Sequence, residues 1–230
     1  MDRLETIVSL VRPGDTVADI GCDHGIVGLK LLQEGTIKKL IATDISLPCL
    51  DKANLLIKKH GFSEQYEGRV GDGLEPLEIG EVDSAIIAGM GGELMYRILT
   101  ERPEMTQSIE SFILQPMTEP DLIRKFAHQW GYSIVKDILV REGDKFYFVL
   151  QLVKAKGEIH VDEYEYPLTL MKNVPLFKEY MTMRIGQTQE LIYQLDGVDS
   201  DKAKKRKNEL KREIKRMEDV LCNYEKLLKN

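Results

Sequence analysis

The sequence predicts an α/β protein in which a seven-stranded, mostly parallel sheet ends in an antiparallel hairpin, with a C-terminal helical coiled-coil hairpin after it. Up to residue 153, short apolar runs alternate with longer amphipathic stretches, which is typical of a parallel sheet covered by helices. Two later runs are separated only by residues 141–144, a turn too short to join parallel strands. Apolar residues then recur at heptad spacing. We therefore predict a sheet domain over residues 1–160 and a helical domain over residues 161–230.

Each element follows from a local pattern of apolar residues and turn formers. A short helix comes first, because Leu4, Ile7 and Val8 share one helical face that Pro13 and Gly14 end. The apolar runs predict parallel strands at Val17–Ile20, Leu40–Asp44, Gln65–Val70, Val82–Ala88 and Phe112–Gln115. The amphipathic stretches predict helices at Gly25–Gln33, Leu47–His60, Glu93–Glu101 and Pro120–Trp130. The hairpin strands are predicted at Tyr132–Val140 and Lys145–Val153.

From residue 161 onward, the spacing predicts two long helices that face each other. The apolar seam of the first comprises Val174, Phe177, Met181, Ile185, Thr188, Ile192 and Leu195. The seam of the second comprises Leu210, Ile214, Met217, Leu221, Tyr224 and Leu228. The segment from Asp196 to Ser200 supplies the turn, with Ser200 as a candidate N-cap. We favour an antiparallel hairpin within a monomer, and the alternative is a coiled coil between chains.

Composition limits the classes of protein that fit. With 43% hydrophobic and 30% charged residues, the chain is typical of soluble globular proteins, and it has no long apolar run that could cross a membrane. The N-terminus lacks the order of a signal peptide and the cysteines are far apart, so we expect a cytoplasmic protein with reduced thiols. Neither Cys22 nor His24 has companions at metal-ligand spacing, so no metal site is predicted.

The chain has a net charge of −6, but its tail contains a basic segment. Between Asp201 and Arg216, nine basic residues stand against three acidic ones. The nine are Lys202, Lys204, Lys205, Arg206, Lys207, Lys211, Arg212, Lys215 and Arg216. Such a run is either the solvated face of a charged helix or a surface that binds a phosphate backbone.

The first strand leads into a ligand-binding loop that extends from Asp19 to Gly28. Glycines in this loop allow a sharp turn and close approach of a ligand to the backbone. The loop departs from the dinucleotide fingerprint, because Asp23 occupies the place of the expected second glycine and would repel a pyrophosphate. Asp23 instead suits a positively charged ligand group such as an amine or a sulfonium.

Two further carboxylates follow at the ends of the next two strands. Asp44 ends the second strand, where a carboxylate can accept both hydroxyls of a ribose. Asp72 follows the third strand, where it can accept the amino proton of an adenine. Each aspartate alone could simply cap a helix or turn, but the ordered set matches an adenosyl ligand with an ammonium tail.

The fourth and fifth strands end in further candidate residues. Met90 is surrounded by Gly89, Gly91 and Gly92, which leaves backbone groups open for a planar group near the transferred methyl. The alternative is a strand-to-helix turn, which needs only one such glycine. Gln115 is expected to offer an amide donor and acceptor at the pocket rim, beside Pro116, which stops the strand.

Three longer strings add a family resemblance: ADIGCDHG from Ala18, AGMGG from Ala88 and LQPM from Leu114. Together with the helical tail, they resemble the bacterial tRNA adenine(22)-N1-methyltransferase family of class I S-adenosylmethionine-dependent methyltransferases, over essentially the whole chain. The resemblance implies a Rossmann-like catalytic domain, S-adenosyl-L-methionine as methyl donor, tRNA as partner and C-terminal helices that help to hold it. It places donor binding at Gly21, Asp23, Asp44, Asp72 and Gly73. The fourth strand lacks the Asn/Asp-Pro-Pro-aromatic signature of many amino-group methyltransferases, which leaves a ring nitrogen open as the target.

The candidate residues fall into three sets. Donor binding is expected from Asp19, Gly21, Cys22, Asp23, His24, Gly25, Asp44, Ile45, Asp72, Gly73, Ala88 and Gly89. A catalytic role is expected from Asp23, Gly89, Met90, Gly91 and Gln115, and RNA binding from the nine basic tail residues. The alternatives are a non-catalytic adenosyl-ligand-binding protein that acts through its coiled-coil tail, and an NAD-linked oxidoreductase, which Asp23 disfavours.

Overall fold

The computed structural model describes residues 1–154, 164–167, 174–198 and 200–227. The chain divides into two compact units, Met1–Glu165 and Tyr166–Asn230. The predicted domain boundary between residues 160 and 161 lies outside the described residues, as do Asp199 of the predicted turn and Leu228 of the second seam.

A seven-stranded sheet forms the centre of the first unit, in the order β3-β2-β1-β4-β5-β7-β6. The first five strands run parallel, and β7 is antiparallel to both β5 and β6. This arrangement confirms the predicted fold class. The strands are β1 Thr16–Ile20, β2 Lys39–Asp44, β3 Tyr66–Val70, β4 Ser84–Met90, β5 Ser111–Pro116, β6 Tyr132–Glu142 and β7 Lys145–Lys154.

Helices cover the sheet in the first unit and form the hairpin of the second. Those of the first unit are α1 Arg3–Ser9, α2 Ile26–Gln33, α3 Leu47–Lys59, α4 Gly92–Glu101, α5 Pro103–Ser108 and α6 Pro120–Gln129. A capping box starts α1, in which the Asp2 carboxylate accepts the Glu5 N–H at 2.7 Å and the Glu5 carboxylate accepts the Asp2 N–H at 3.0 Å. The six-residue α5 is an addition to the predicted set, because it is too short for apolar periodicity to reveal.

Most predicted elements differ from the structure by one residue at a boundary, and the more informative differences concern β3, β4 and the hairpin. Strand β3 begins at Tyr66, because the three residues before it form a short 3₁₀ helix. Strand β4 begins at Ser84 and continues to Met90, which carries the strand into the glycine segment. The hairpin strands are also longer than predicted and pair as far as Glu142 and Lys145, so only two residues form the turn.

The order of the strands determines where a ligand can bind. The chain leaves β1 for β2 on one side, and later returns to β4 on the other side of β1. The two connections diverge at the carboxyl ends of β1 and β4, which opens a crevice there. Buried apolar residues fix the strands below it, and they include Val17, Leu40, Ile86 and Ile113.

A buried ion pair links α6 to β6 within the first unit. Arg124 Nε donates to one oxygen of Asp137 at 2.7 Å and Nη2 donates to the other at 3.2 Å, and both side chains are fully buried. Arg124 Nη1 also donates to the Tyr164 carbonyl at 2.8 Å, and the guanidinium lies 5.1 Å from the centre of the Phe148 ring. One arginine thereby holds the end of the first unit against its sheet.

The described part of the second unit contains two helices, α7 Val174–Gln194 and α8 Asp201–Leu227. Their buried residues include Phe177, Met181 and Thr188 on α7, and Ala203, Leu210 and Met217 on α8. Ser200 caps α8 as predicted, because its hydroxyl accepts the Ala203 N–H at 3.2 Å. The described part of the apolar seam therefore packs between the two helices of one chain. None of the helices in the described part of the chain has the length and apolar character needed to cross a membrane.

Candidate active site

A cavity of about 510 Å³ opens at the carboxyl edge of the sheet, entirely within the first unit. The predicted residues that line it are Asp19, Gly21, Cys22, Asp23, His24, Asp44, Ile45, Asp72, Gly73, Ala88, Gly89 and Met90. Sequence reasoning missed several others, namely Arg3, Leu4, Ile20, Ile26, Val27, Gly71, Leu94 and Ile98. Gly25, Gly91 and Gln115 do not line the cavity.

Hydrogen bonds of the Asp44 side chain connect the loops that follow β1 and β2. One of its carboxylate oxygens accepts the Asp23 N–H at 3.0 Å, and the other accepts the Ser46 N–H at 2.8 Å. Its side chain is nearly buried at the floor of the cavity. These contacts hold the carboxylate in one orientation, which suits the recognition of a ligand diol.

Asp23 lies at the mouth of the cavity, with 66% of its side chain exposed. Its carboxylate accepts a hydrogen bond from His24 Nδ1 at 2.7 Å, and the other ring nitrogen lies 3.3 Å from Lys52 Nζ. The hydrogen bond from His24 is the main reason that the pKa of Asp23 is lowered from its ordinary value. Asp23 therefore remains an anion at the entrance.

Asp19 lies deeper, at the end of β1, and is almost completely buried. Burial is the main reason that the pKa of Asp19 is raised to about 7; the Gly28 N–H partly offsets this effect and the nearby charge of Asp44 adds a smaller increase. A cationic ligand group beside Asp19 would favour the charged carboxylate and reverse this effect. The floor of the cavity thus suits an ammonium or a sulfonium.

The raised pKa of Asp19 predicts a specific dependence of stability on pH. Between about pH 4 and pH 7, Asp19 is protonated in the folded chain and ionised in the unfolded chain, so its contribution to stability is lost as the pH rises. The limiting slope is about 1.4 kcal/mol per pH unit. Urea unfolding of the ligand-free chain should reveal this fall, and the Asp19→Asn variant should lack it. If the free energy of unfolding changed with pH by the same slope in both proteins, the raised pKa of Asp19 would be contradicted.

Asp72 lines the cavity as predicted but is already part of an ion pair. Both of its oxygens accept from Arg97 Nη2, at 2.9 and 3.1 Å, and Arg97 Nη1 donates to Glu101 at 2.8 Å. A carboxylate has about four acceptor positions, so the pair fixes the direction of Asp72 and leaves capacity for a ligand donor.

The glycine loops after β1 and β4 meet across the cavity. Gly21 has a φ of +68°, and a Cβ at this position would overlap the terminal methyl group of Met90. Met90 ends β4 and also lines the cavity. The positive φ is therefore the main reason for glycine in the first loop, because the Met90 methyl group ends a flexible side chain and can move aside.

Gln115 lies beneath the cavity rather than at its rim, because its side chain is completely buried. Its Oε1 accepts from Arg3 Nη1 at 2.6 Å and from the Gly89 N–H at 3.2 Å. Its Nε2 donates to the Pro116 carbonyl at 3.1 Å. Gln115 thus connects α1, β4 and β5 and orients two residues that do line the cavity.

The remaining predicted residues have structural positions. Gly25 and Gly91 are the N-cap residues of α2 and α4, and a Cβ on Gly25 would lie 2.8 Å from the Cβ of Ala53. Cys22 lines the cavity, but burial raises the pKa of its thiol, which disfavours the nucleophilic thiolate. Within the described residues, no group of three or more His, Cys, Asp or Glu side chains is placed to hold a metal ion.

The comparisons with known proteins agree with this geometry. The family model described as "Methyltransferase domain" matches residues 1–150. The tRNA (adenine(22)-N(1))-methyltransferase of Bacillus subtilis is 26% identical over 228 residues, which cover 95% of each chain.

Two solved structures extend the likeness to the complete fold. The crystal structure of the B. subtilis m1A22 tRNA methyltransferase has a TM-score of 0.81 at 27% identity, and the match covers 95% of this chain and 97% of that one. Streptococcus pneumoniae Sp1610 in complex with S-adenosyl-L-methionine has a TM-score of 0.81 at 26% identity, over 96% of this chain and 100% of that one. The chain therefore belongs to the methyltransferase domain family and is a homologue of the bacterial tRNA (adenine(22)-N1)-methyltransferases.

Proposed function

We propose that this chain is an S-adenosylmethionine-dependent methyltransferase that methylates N1 of adenine 22 in tRNA. The observation that carries the proposal is the ordered set of carboxylates around one cavity: Asp19 near the end of β1, Asp23 in the loop after it, Asp44 at the end of β2 and Asp72 after β3. The target nucleotide comes from the B. subtilis relative, which aligns over 95% of its own length.

The residues of the cavity fit S-adenosylmethionine in charge and in polarity. Asp19 and Asp23 match a ligand end that bears an ammonium and a sulfonium, and Asp44 matches the two ribose hydroxyls. Asp72 is a hydrogen-bond acceptor for an adenine amino group, and the exposed Ile45 offers an apolar surface for the ring. When bound, this donor supplies an electrophilic methyl group on a positively charged sulfur.

The chain then has to position the acceptor and exclude water. N1 of adenine lies on the Watson–Crick edge, so the base must be unpaired and turned into the cavity before N1 can face the methyl group. Met90 and Leu94 provide apolar surface near the second glycine loop, and Gln115 fixes the Gly89 backbone there. Methylation leaves a positive charge on the base, which the cavity carboxylates stabilise. Alignment accounts for most of the rate enhancement in this mechanism.

The α8 helix has the charge distribution expected of an RNA-binding surface. At about 100° per residue, six of its basic residues fall within an arc of about 140°. This basic face comprises Lys204, Lys205, Lys211, Arg212, Lys215 and Arg216, all of them exposed. It lies opposite the side of the helix that buries Ala203, Leu210 and Met217 against α7. Lys207 lies beside the basic face and is paired with Asp196.

Reversal of charges on the basic face should weaken tRNA binding. We expect the Lys211→Glu/Arg212→Glu/Lys215→Glu variant to lose at least about tenfold in tRNA affinity and to show a shallower salt dependence, because fewer counterions are released. Filter binding at several salt concentrations measures both effects. The matched control reverses Lys38, Lys58 and Lys59, which are exposed in the first unit. An equal loss in both variants would mean that net charge, rather than this face, governs binding.

Incubation with unmodified tRNA and labelled donor, followed by nucleoside analysis, tests the proposed reaction directly. We expect one 1-methyladenosine per tRNA and none in a transcript with guanosine at position 22. Donor binding without methylation would favour the alternative of a non-catalytic ligand-binding protein.

We also propose that the chain acts as a monomer in the cytoplasm. The apolar seam between α7 and α8 closes within one chain, and Cys22, Cys49 and Cys222 are free thiols, which is usual in a reducing compartment. Sedimentation analysis checks the monomer: a dimer at micromolar concentration would contradict it.

A further inference from the structure

One charged residue that lines the cavity has no role in the proposed function. Twenty residues line it, and Arg3 is the only one among them with a guanidinium or an ammonium group. The carboxylates of the cavity suit the ammonium of an amino-acid tail but would repel its carboxylate. A donor with a complete amino-acid tail therefore needs a cation as well, and Arg3 is the candidate.

Arg3 is held in a defined orientation by three neighbours. Its Nη1 donates to Gln115 Oε1 at 2.6 Å, its guanidinium lies 5.2 Å from the centre of the Tyr147 ring, and its backbone N–H donates to Glu142 Oε1 at 2.6 Å. Gln115 is fully buried and accepts from Gly89 as well. The guanidinium is thus fixed beside the end of β4, where Gly89 also lines the cavity.

One donor group of Arg3 lacks an acceptor. Its Nε is buried and has no hydrogen-bond partner within the described residues, and Glu142 Oε2 lies 3.9 Å from it. A planar guanidinium has further N–H groups and is well suited to pair with a carboxylate.

We propose that Arg3 binds the α-carboxylate of the methyl donor and that Gln115 is the positioning residue that orients it. This inference rests on the proposed function, since it takes the ligand to be S-adenosylmethionine. In such a ligand the ammonium and the carboxylate share one carbon, so both must lie in the same part of the cavity. Arg3 is only 25% exposed and lines this cavity, which favours a small ligand over an RNA phosphate outside it.

Two ligands that differ by the carboxylate test the proposal. S-adenosylhomocysteine has the complete amino-acid tail, and its decarboxylated analogue keeps the amine but lacks the carboxylate. By calorimetry, we expect Arg3→Met to bind S-adenosylhomocysteine about 10- to 100-fold more weakly than the wild-type chain, as for a lost charged hydrogen bond. The same variant should bind the decarboxylated analogue within about twofold of the wild type, which also establishes that its cavity is intact.

Further variants separate charge, geometry and position. Arg3→Lys keeps the charge without the planar fork and should recover part of the loss. Gln115→Leu should weaken the binding of S-adenosylhomocysteine but not that of the decarboxylated analogue. In the Arg3→Met background, Gln115→Leu should cause no further loss of affinity for S-adenosylhomocysteine. Arg12→Met is the matched control, because Arg12 is paired with Asp15 and does not line the cavity. We expect it to bind both ligands like the wild type.

The outcomes distinguish this inference from the proposed function. Equal weakening of both ligands by Arg3→Met would mean that Arg3 only shapes the cavity, and would overturn the inference. Unchanged binding of both ligands together with weaker tRNA binding would assign Arg3 to an RNA phosphate, and would overturn it too. If the wild-type chain failed to bind S-adenosylhomocysteine at all, the proposed function itself would fail.

Discussion

Replacement of Asp44 with alanine is expected to weaken the binding of S-adenosylhomocysteine by about a hundredfold. The carboxylate is nearly buried at the cavity floor and is oriented by the N–H groups of Asp23 and Ser46. Loss of charge-assisted hydrogen bonds to two ribose hydroxyls costs about 3 kcal/mol, which is about two orders of magnitude in affinity. Isothermal calorimetry on the ligand-free chain measures this change.

Two further variants identify the cause of the loss. Asp44→Asn keeps the shape and one acceptor oxygen, so its affinity should fall between those of the alanine variant and the wild type. Asp51→Ala removes an exposed carboxylate from the nearby α3 and should leave affinity unchanged. Wild-type affinity in Asp44→Ala would remove Asp44 from donor binding.

The largest expected effect on stability comes from the buried pair of Arg124 and Asp137. Arg124→Met leaves a carboxylate in a fully buried position without its partner and frees the Tyr164 carbonyl. Breaking a buried ion pair from one side costs about 3 to 5 kcal/mol, so we expect the free energy of unfolding in urea to fall by this amount.

Matched variants test whether burial is responsible. Lys125→Met removes the partly exposed pair with Asp121 on the same helix and should cost less than about 1 kcal/mol. The double variant Arg124→Met/Asp137→Leu should recover much of the loss, because no charge remains buried. A small effect in Arg124→Met, similar to that in Lys125→Met, would mean that water reaches the pair.

The sheet and the acidic part of the site were predictable because both are encoded locally. A parallel strand covered on both faces contains a continuous apolar run, as in residues 40–42, and the carboxyl ends of such strands share one edge. The aspartates directly after these runs must therefore lie near one another. The confirmed hairpin at Glu142–Lys145 follows in the same way from the length of its turn.

The cationic part of the site was not predictable, because it depends on contacts between distant residues. Arg3 and Gln115 are 112 residues apart in sequence, and their hydrogen bond exists only once α1 lies across the end of the sheet. Sequence reasoning placed Gln115 at the pocket rim, whereas the packing of α1 and β5 buries it. Similarly, the pairing of Asp72 with Arg97 joins a loop to α4, and neither residue has a local pattern that indicates it. The one indication in the sequence was Arg3, a cationic residue in the first helix to which no role had been assigned.

The conformation of Asp23 favours ligand binding at the expense of stability. Asp23 has a φ of +48°, and such left-handed geometry is unfavourable for a residue with a Cβ, by about 1 kcal/mol, whereas glycine adopts it freely. Selection for thermal robustness alone would favour glycine here. Glycine would also remove the negative charge at the cavity entrance. Asp23 therefore lowers the stability of the loop in exchange for ligand recognition.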